Sequence, residues 1–101
     1  MNELEEFNKI NKLLDYYGNL LTKKQFLIMK DYYSFNLSLS EIAEEQNITR
    51  SAVLDAINHS KEKLFYYEEK LGLFGKYKKL ISILNKDKIS SETIKKIEEI
   101  I

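Results

Sequence analysis

The polar residues between positions 49 and 58 have types and spacing that suit contact with a nucleic acid. Arg50 is the only arginine in the sequence, and its planar guanidinium can read guanine through two parallel hydrogen bonds. The Asn58 side chain can read adenine in the same way, and the hydroxyls of Thr49 and Ser51 can bond to phosphates. The segment therefore indicates a nucleic-acid surface, with solvated surface as the alternative for Arg50 and Asn58.

The neighbouring residues give mixed support. His59 and Lys61 follow about one helical turn later and could contact a nucleic-acid backbone, although a solvent-facing side chain is the alternative for His59. Leu54 and Asp55 oppose the interpretation, because Leu54 is apolar and Asp55 repels phosphate.

The sequence lacks the residues and motifs that catalysis usually requires. The sequence has no cysteine, and its single histidine, His59, has no recognisable triad setting. There is no glycine-rich phosphate loop, and without cysteine there can be no disulfide or thiolate metal site. We therefore expect no enzymatic activity, no catalytic residue, no cofactor and no metal.

Residues 39 to 58 have the pattern of a helix-turn-helix. Ala43 is small where the second helix must cross close to the first, and Asn47 tolerates the left-handed backbone of the turn. Ile48 follows as an apolar plug, whereas Gln46 stands where an apolar residue is common. The alternative is a plain helical hairpin with the same packing needs. The second helix is expected to bury Val53, Ala56 and Ile57.

The apolar residues recur at steps of three and four, proline is absent and glycine is rare, so an all-α fold is predicted. The first predicted helix covers about Glu3–Tyr17, a second starts after Thr22, and a short third begins with Ser38. A long fourth helix is capped by Thr49 and runs to about Leu71, a fifth covers roughly Phe74–Leu84 and a sixth opens at Ser90, with Asn85–Lys88 as a loop between the last two. We expect a helix-turn-helix domain over 1–73, with a long recognition helix, and a C-terminal helical extension over 74–101, packed on it or exchanged between copies.

Capping residues mark the predicted helix starts. Asn2 is suited to cap the first helix, and Thr22 with Gln25, then Ser38 with Glu41, form two capping boxes. Gly18 and Gly72 stand where C-terminal glycines belong. The second helix is expected to turn Phe26, Met29 and Tyr33 inward, and the fourth to have an apolar seam of Val53, Ile57, Leu64, Tyr67 and Leu71, interrupted by Ser60.

The distribution of charge and hydropathy bears on which partners and which cell compartment we expect. The formal net charge is zero, but the C-terminal third is positive, and Lys76, Lys78 and Lys79 form a possible patch for backbone contact. No apolar run approaches the roughly 18 residues that a membrane span requires. We expect a cytoplasmic protein.

Several blocks of sequence resemble known proteins. Leu21–Gln25, Tyr32-Tyr33, and the runs L-S-L-S-E-I-A-E-E and I-T-R-S-A-V resemble the helix-turn-helix of sigma-factor region 4. With N-K-L-L-D-Y-Y-G-N-L-L-T-K-K-Q before them and Y-Y-E-E-K-L-G-L after, the chain is similar to the YlxM-like family of small bacterial proteins over about Leu4–Leu84. This resemblance implies an association with the signal recognition particle and a regulatory role.

Two functions compete at this stage. The first is a DNA-binding regulator, which the motif favours. The second is an RNA- or protein-binding accessory factor of the signal recognition particle, which the neutral net charge and Asp55 favour. We also expect a homo-oligomer, most simply a dimer, through the fourth helix and the C-terminal helices, because consecutive rings at Phe65, Tyr66 and Tyr67 cannot share one helix face.

Overall fold

The computed structural model describes residues 2–100, and every regular element in that range is helical. In chain order these are α1 (Glu3–Tyr17), a 3₁₀ turn (Gly18–Leu20), α2 (Lys23–Tyr33), α3 (Leu39–Gln46), α4 (Arg50–Leu71), α5 (Leu73–Lys86) and α6 (Ser91–Ile100). The predicted all-α fold is confirmed. The chain forms two compact units, one ending at Leu71 and the other beginning at Gly72.

The predicted caps start the helices of the first unit. Asn2 Oδ1 accepts a hydrogen bond of 2.8 Å from an amide in the first turn of α1. Thr22 Oγ1 accepts from the Gln25 N–H, and Gln25 Oε1 accepts in return from the Thr22 N–H, both at 3.1 Å. Ser38 and Glu41 exchange the same two bonds at 3.0 Å. These side chains satisfy amides that have no partner within the helix, and so they fix where α1, α2 and α3 begin.

The two glycines that were expected to end helices do so for different physical reasons. Gly72 ends α4 with φ 64°, in the left-handed region that favours glycine. Gly18 follows α1 with φ −55° and ψ −35°, so the expected left-handed cap is not formed there. A Cβ at Gly18 would lie 2.6 Å from Cε1 of Phe26, so any larger residue at this position would have to push the ring aside.

Helix α4 is the centre of the first unit and packs against α1, α2 and α3. The core side chains with no more than 1% exposure are Ile10, Leu13, Tyr17, Ile28, Met29, Ile42, Val53, Ser60 and Leu64. Ser60 is tolerated there because its hydroxyl donates a 2.7 Å hydrogen bond to the Ala56 carbonyl one turn earlier.

The core differs in part from the expected one. Ile28 is buried beside Met29, whereas Phe26, expected to point inward, is only half-buried. Because α2 contacts both α1 and α4, adjacent positions on it are covered by different neighbours. On α4, Tyr67 is half-buried, and Leu71, at the last position of the helix, is exposed.

The second unit consists of α5 and α6. Helix α5 continues through Asn85 and Lys86, which were expected to form a loop, and the turn after it contains Lys88 at φ 57°. Ser90, expected to open α6, is its cap, and Ser90 Oγ accepts a 3.2 Å hydrogen bond from the Thr93 N–H. No residue of α5 or α6 is buried, so this unit has no core of its own.

Candidate nucleic-acid interface

The turn between α3 and α4 is set by Asn47. Its φ of 56° and ψ of 44° are left-handed, as the sequence predicted. The Asn47 N–H donates to the Glu44 carbonyl at 3.3 Å, and the Ile48 N–H donates to the Ala43 carbonyl at 3.0 Å. This pair of bonds is a Schellman motif, which satisfies the last carbonyls of α3 and reverses the chain within two residues.

Close packing of α3 on α4 follows from the small residue at position 43. Ala43 is 9% exposed, and its neighbour Ile42 is fully buried. On α4, Val53 and Ile57 are buried, while Ile48 in the turn is half-buried. The helix-turn-helix geometry is therefore present, and the plain hairpin, which needs no left-handed turn, is a poorer description.

Thr49 positions the start of α4. Its Oγ1 accepts a 3.0 Å hydrogen bond from the Ala52 N–H, so the oxygen caps the helix while the hydroxyl proton can still be donated. The first turn of α4 contains no acidic residue, and Arg50 is its first residue. The partial positive charge of the helix N-terminus and the guanidinium therefore reinforce each other.

Most of the residues that the sequence predicted to contact a nucleic acid lie on the solvent-facing side of α4. Ser51, Asp55 and Asn58, at spacings of four and three, lie on one exposed face. Arg50 and Leu54 are four residues apart and lie beside them, and Leu54 is 46% exposed. We call these five residues the outer face of α4. It contains one cation, one carboxylate, one apolar side chain and two neutral polar groups.

Lys61 follows Leu54 by seven residues on the same side of α4, but it lies two turns farther along the helix, beside α1. Its Nζ is 2.9 Å from Glu6 Oε1 of α1 in a half-buried ion pair. The hydrogen bond to Glu6 raises the pKa of Lys61, with further support from the neighbouring Tyr33 hydroxyl. The structure thus places Lys61 in the packing of α1 on α4, where its ammonium is paired with Glu6, two turns farther along α4 than Leu54.

The lysines expected to contact a nucleic-acid backbone lie in the second unit. Lys76, Lys78 and Lys79 are all exposed on α5. The Lys78 ammonium is 5.4 Å from the centroid of the Phe74 ring, at the distance of a cation–π contact.

Comparison with known protein families shows which family the chain belongs to. Residues 4–101 match the family of helix-turn-helix proteins described as YlxM / p13 like and named UPF0122. The chain belongs to this family. The match includes α5 and α6 as well as the motif, and the family is described by its helix-turn-helix, not by a catalytic activity.

Three similar UPF0122 proteins illustrate the extent of the likeness. A UPF0122 protein of Desulforamulus reducens is 48% identical over 86 residues, covering 81% of this chain and 74% of the relative. YofM of Lactococcus lactis is 41% identical over 102 residues, covering 97% and 92% of the two chains. A UPF0122 protein of Clostridium perfringens strain 13 is 43% identical over 110 residues, covering 97% and 98%.

Carboxylates border the motif of this UPF0122 protein. Glu41, Glu44 and Glu45 are exposed on α3. The Ser38 backbone and hydroxyl hydrogen bonds lower the pKa of Glu41, so it is ionised throughout the neutral range. These charges repel phosphate, so the exposed side of α3 is unfavourable for contact with a nucleic acid.

A groove next to the outer face was not predicted from the sequence. It lies between α2 and α4, has a volume of about 440 Å³, and is lined by Gln25, His59, Glu62, Lys63, Tyr66 and Tyr67. Lys63 Nζ donates to Gln25 Oε1 at 3.1 Å across it, and the Tyr66 ring is 56% exposed. The seven-residue spacing of His59 and Tyr66 is a sequence signal for their shared face.

The described part of this UPF0122 chain has neither a metal-binding cluster nor a membrane-spanning helix. Among residues 2–100, no group of three or more His, Cys, Asp or Glu side chains could hold a metal ion. Across the same residues, no helix combines the length and apolar composition needed to cross a membrane.

Proposed function

We propose that this protein binds duplex DNA as a regulatory factor, with the N-terminal half of α4 in the major groove. The observation that carries the proposal is the division of α4 into two sides. Val53, Ile57 and Leu64 are buried in the core, whereas Arg50, Ser51 and Asn58 are exposed. In helix-turn-helix proteins the second helix enters the major groove with its N-terminal residues leading, and these positions are the ones that reach base edges.

Phosphate contacts would come from the start of α4. The helix N-terminus, the Thr49 hydroxyl proton and the Ser51 hydroxyl are all donors suited to phosphate oxygens. The absence of acids from the first turn leaves this end attractive to anions. His59 is exposed and lies farther along the helix, where a neighbouring phosphate would pass.

The two residues that oppose a purely electrostatic contact fit a base-reading role. The Asp55 carboxylate can accept a hydrogen bond from the amino group of cytosine, and Leu54 can pack against the methyl group of thymine. With Arg50 for guanine and Asn58 for adenine, the outer face of α4 has a group for each base. A site of mixed composition is therefore expected, and not a run of one base pair.

Selection from a randomised duplex pool tests this function. Enrichment of one motif is expected, and Arg50→Ala should relax preference at one position at a cost of about 1–3 kcal/mol, or roughly 5- to 150-fold in Kd. Lys24→Ala, an exposed lysine on α2, is the matched control and should leave the motif and affinity unchanged. A pool that shows no enrichment, or equal selectivity in the Arg50 variant, contradicts the proposal.

A second candidate function is an accessory role with the signal recognition particle, as the YlxM-like resemblance implies. The exposed Leu54 and the cluster of Lys76, Lys78 and Lys79 favour it, since the first suits a protein partner and the lysines suit an RNA backbone. Titrating the particle's RNA and its protein subunit beside duplex DNA separates the candidates. Either partner would place the protein in the cytoplasm.

A further inference from the structure

The second unit carries large apolar side chains that are exposed. Leu80, Ile83, Ile89 and Ile100 are all exposed, and we call them the apolar rim. Ile83 is 56% exposed and Ile100 is 85% exposed, which are high values for isoleucine in a folded protein. On α5, Leu80 and Ile83 are three residues apart and share one side of the helix.

This unit is too small to be stable with its rim in water. Helices α5 and α6 have 14 and 10 residues and bury none of them. Units below about 40 residues usually need a metal, disulfides or association to fold, because they bury too little apolar surface. The sequence contains no cysteine, and no cluster of metal ligands is found in residues 2–100, so the unit must be stabilised by packing against further protein surface.

Charge distinguishes the possible partners for the rim. Helix α5 carries Lys76, Lys78, Lys79 and Lys86 and no acid, whereas α6 carries Glu92, Glu98 and Glu99 with two lysines. Two copies of α5 placed side by side would bring like charges together. In a two-fold interface, α5 of one copy can instead face α6 of the other, and the opposite charges then meet twice.

The size of such an interface requires both helices. Specific interfaces use about 20–30 residues on each side. Neither the 14 residues of α5 nor the 10 of α6 suffice alone, but together they approach this range.

We propose that the second unit is a homodimerisation surface, in which α5 and α6 cover the apolar rim of a second copy of this chain by pairing α5 with the partner's α6. Lys79 lies one turn before Ile83, and Glu98 lies one turn after Ile94, so both charges border the apolar surface. The proposal does not depend on DNA being the ligand of α4.

Sedimentation equilibrium of the full chain, from micromolar concentration upward, tests the surface. The expected mass is twice that of the 12.0 kDa chain. Leu80→Glu and Ile100→Glu, one rim residue from each helix, should each shift it to the monomer, whereas Ser82→Glu and Lys95→Glu, exposed positions on the polar sides of the same helices, should not. A monomeric wild type, dimers that persist in both apolar variants, or controls that dissociate equally overturn the proposal.

A charge exchange keeps the test independent of folding. Lys79→Glu and Glu98→Lys each place like charges across the interface and should weaken self-association. Mixed in equal amounts, the two variants restore opposite charges at both contacts, so a heterodimer should form about three- to tenfold more tightly than either homodimer. A mixture no tighter than its components overturns the pairing of α5 with α6.

Discussion

Ala43 shows how one small residue sets the crossing of α3 and α4. It is buried at that crossing, and three more heavy atoms there must displace α4. Ala43→Leu is therefore expected to destabilise the protein by about 1–3 kcal/mol through overpacking. Thermal or urea unfolding measures the loss, and Glu44→Leu, the exposed neighbour on α3, is the control. An unchanged melting temperature in the Ala43 variant contradicts this account of the crossing.

Tyr33 and Lys61 predict how stability falls in alkali. Burial raises the pKa of the Tyr33 hydroxyl above its usual 10.0, and the bond to Glu6 raises the pKa of Lys61 above 10.5. Both folded-state values exceed those of the unfolded chain, so this contribution to stability is complete below about pH 10 and is lost as the pH rises further.

The urea midpoint between pH 8 and pH 11.5 measures this loss. Tyr33→Phe removes one of the two titrating groups and should reduce the alkaline decline, whereas Tyr66→Phe, an exposed ring, should behave as the wild type. Equal declines in all three proteins would show that the buried hydroxyl is not responsible.

At the scale of the helices, the turn between α3 and α4 depends on the left-handed backbone of Asn47. Its left-handed backbone costs a residue with a Cβ roughly 1–2 kcal/mol, a cost that asparagine partly avoids and glycine does not have. Asn47→Gly should therefore be near neutral, and Asn47→Val should destabilise the first unit and weaken binding by α4. Circular dichroism and binding titrations check both effects, and a well-tolerated valine would argue against a strained turn.

Local signals made the helix starts and this turn predictable. The caps at Asn2, Thr22 and Ser38 act over three residues, so their bonds are evident from spacing alone. The ion pair of Glu6 with Lys61 joins residues that are distant in the chain, and its formation depends on how α1 packs on α4. From the sequence, Lys61 could be predicted only as a cation on the surface of its helix. Its partner, Glu6, becomes evident only when α1 is packed on α4.

The environments of Gly18 and Ile28 also depend on helices other than their own. Gly18 was expected to act through its own backbone, but it is the Phe26 ring of the next helix that leaves no room for a Cβ. Ile28 was missed because periodicity describes one apolar face, whereas α2 contacts three other helices, α1, α3 and α4. The residues proposed to read bases were found from the motif, and their role stays a prediction.

At the scale of the whole molecule, the zero net charge predicts a shallow salt dependence of DNA binding. Affinity falls with the logarithm of salt concentration by about 0.9 per phosphate neutralised by a lysine or arginine. Hydroxyl and amide contacts neutralise no phosphate, so α4, with Arg50 as the one cation of its outer face, should give a slope of about −1. Fluorescence anisotropy between 50 and 200 mM salt measures it. The triple change of Lys76, Lys78 and Lys79 to alanine should leave the slope unchanged, and a steeper wild-type slope would implicate α5.

The buried and exposed sides of α4 are under different constraints when the sequence changes during evolution. Val53, Ile57, Ser60 and Leu64 hold the fold, and substitutions there are selected against through loss of stability. Exposed positions such as Ser51, Leu54, Asp55 and Asn58 can change at little cost to folding. On the function proposed for the outer face of α4, descendants of one ancestral gene can therefore acquire different targets by a few substitutions while every intermediate sequence still folds.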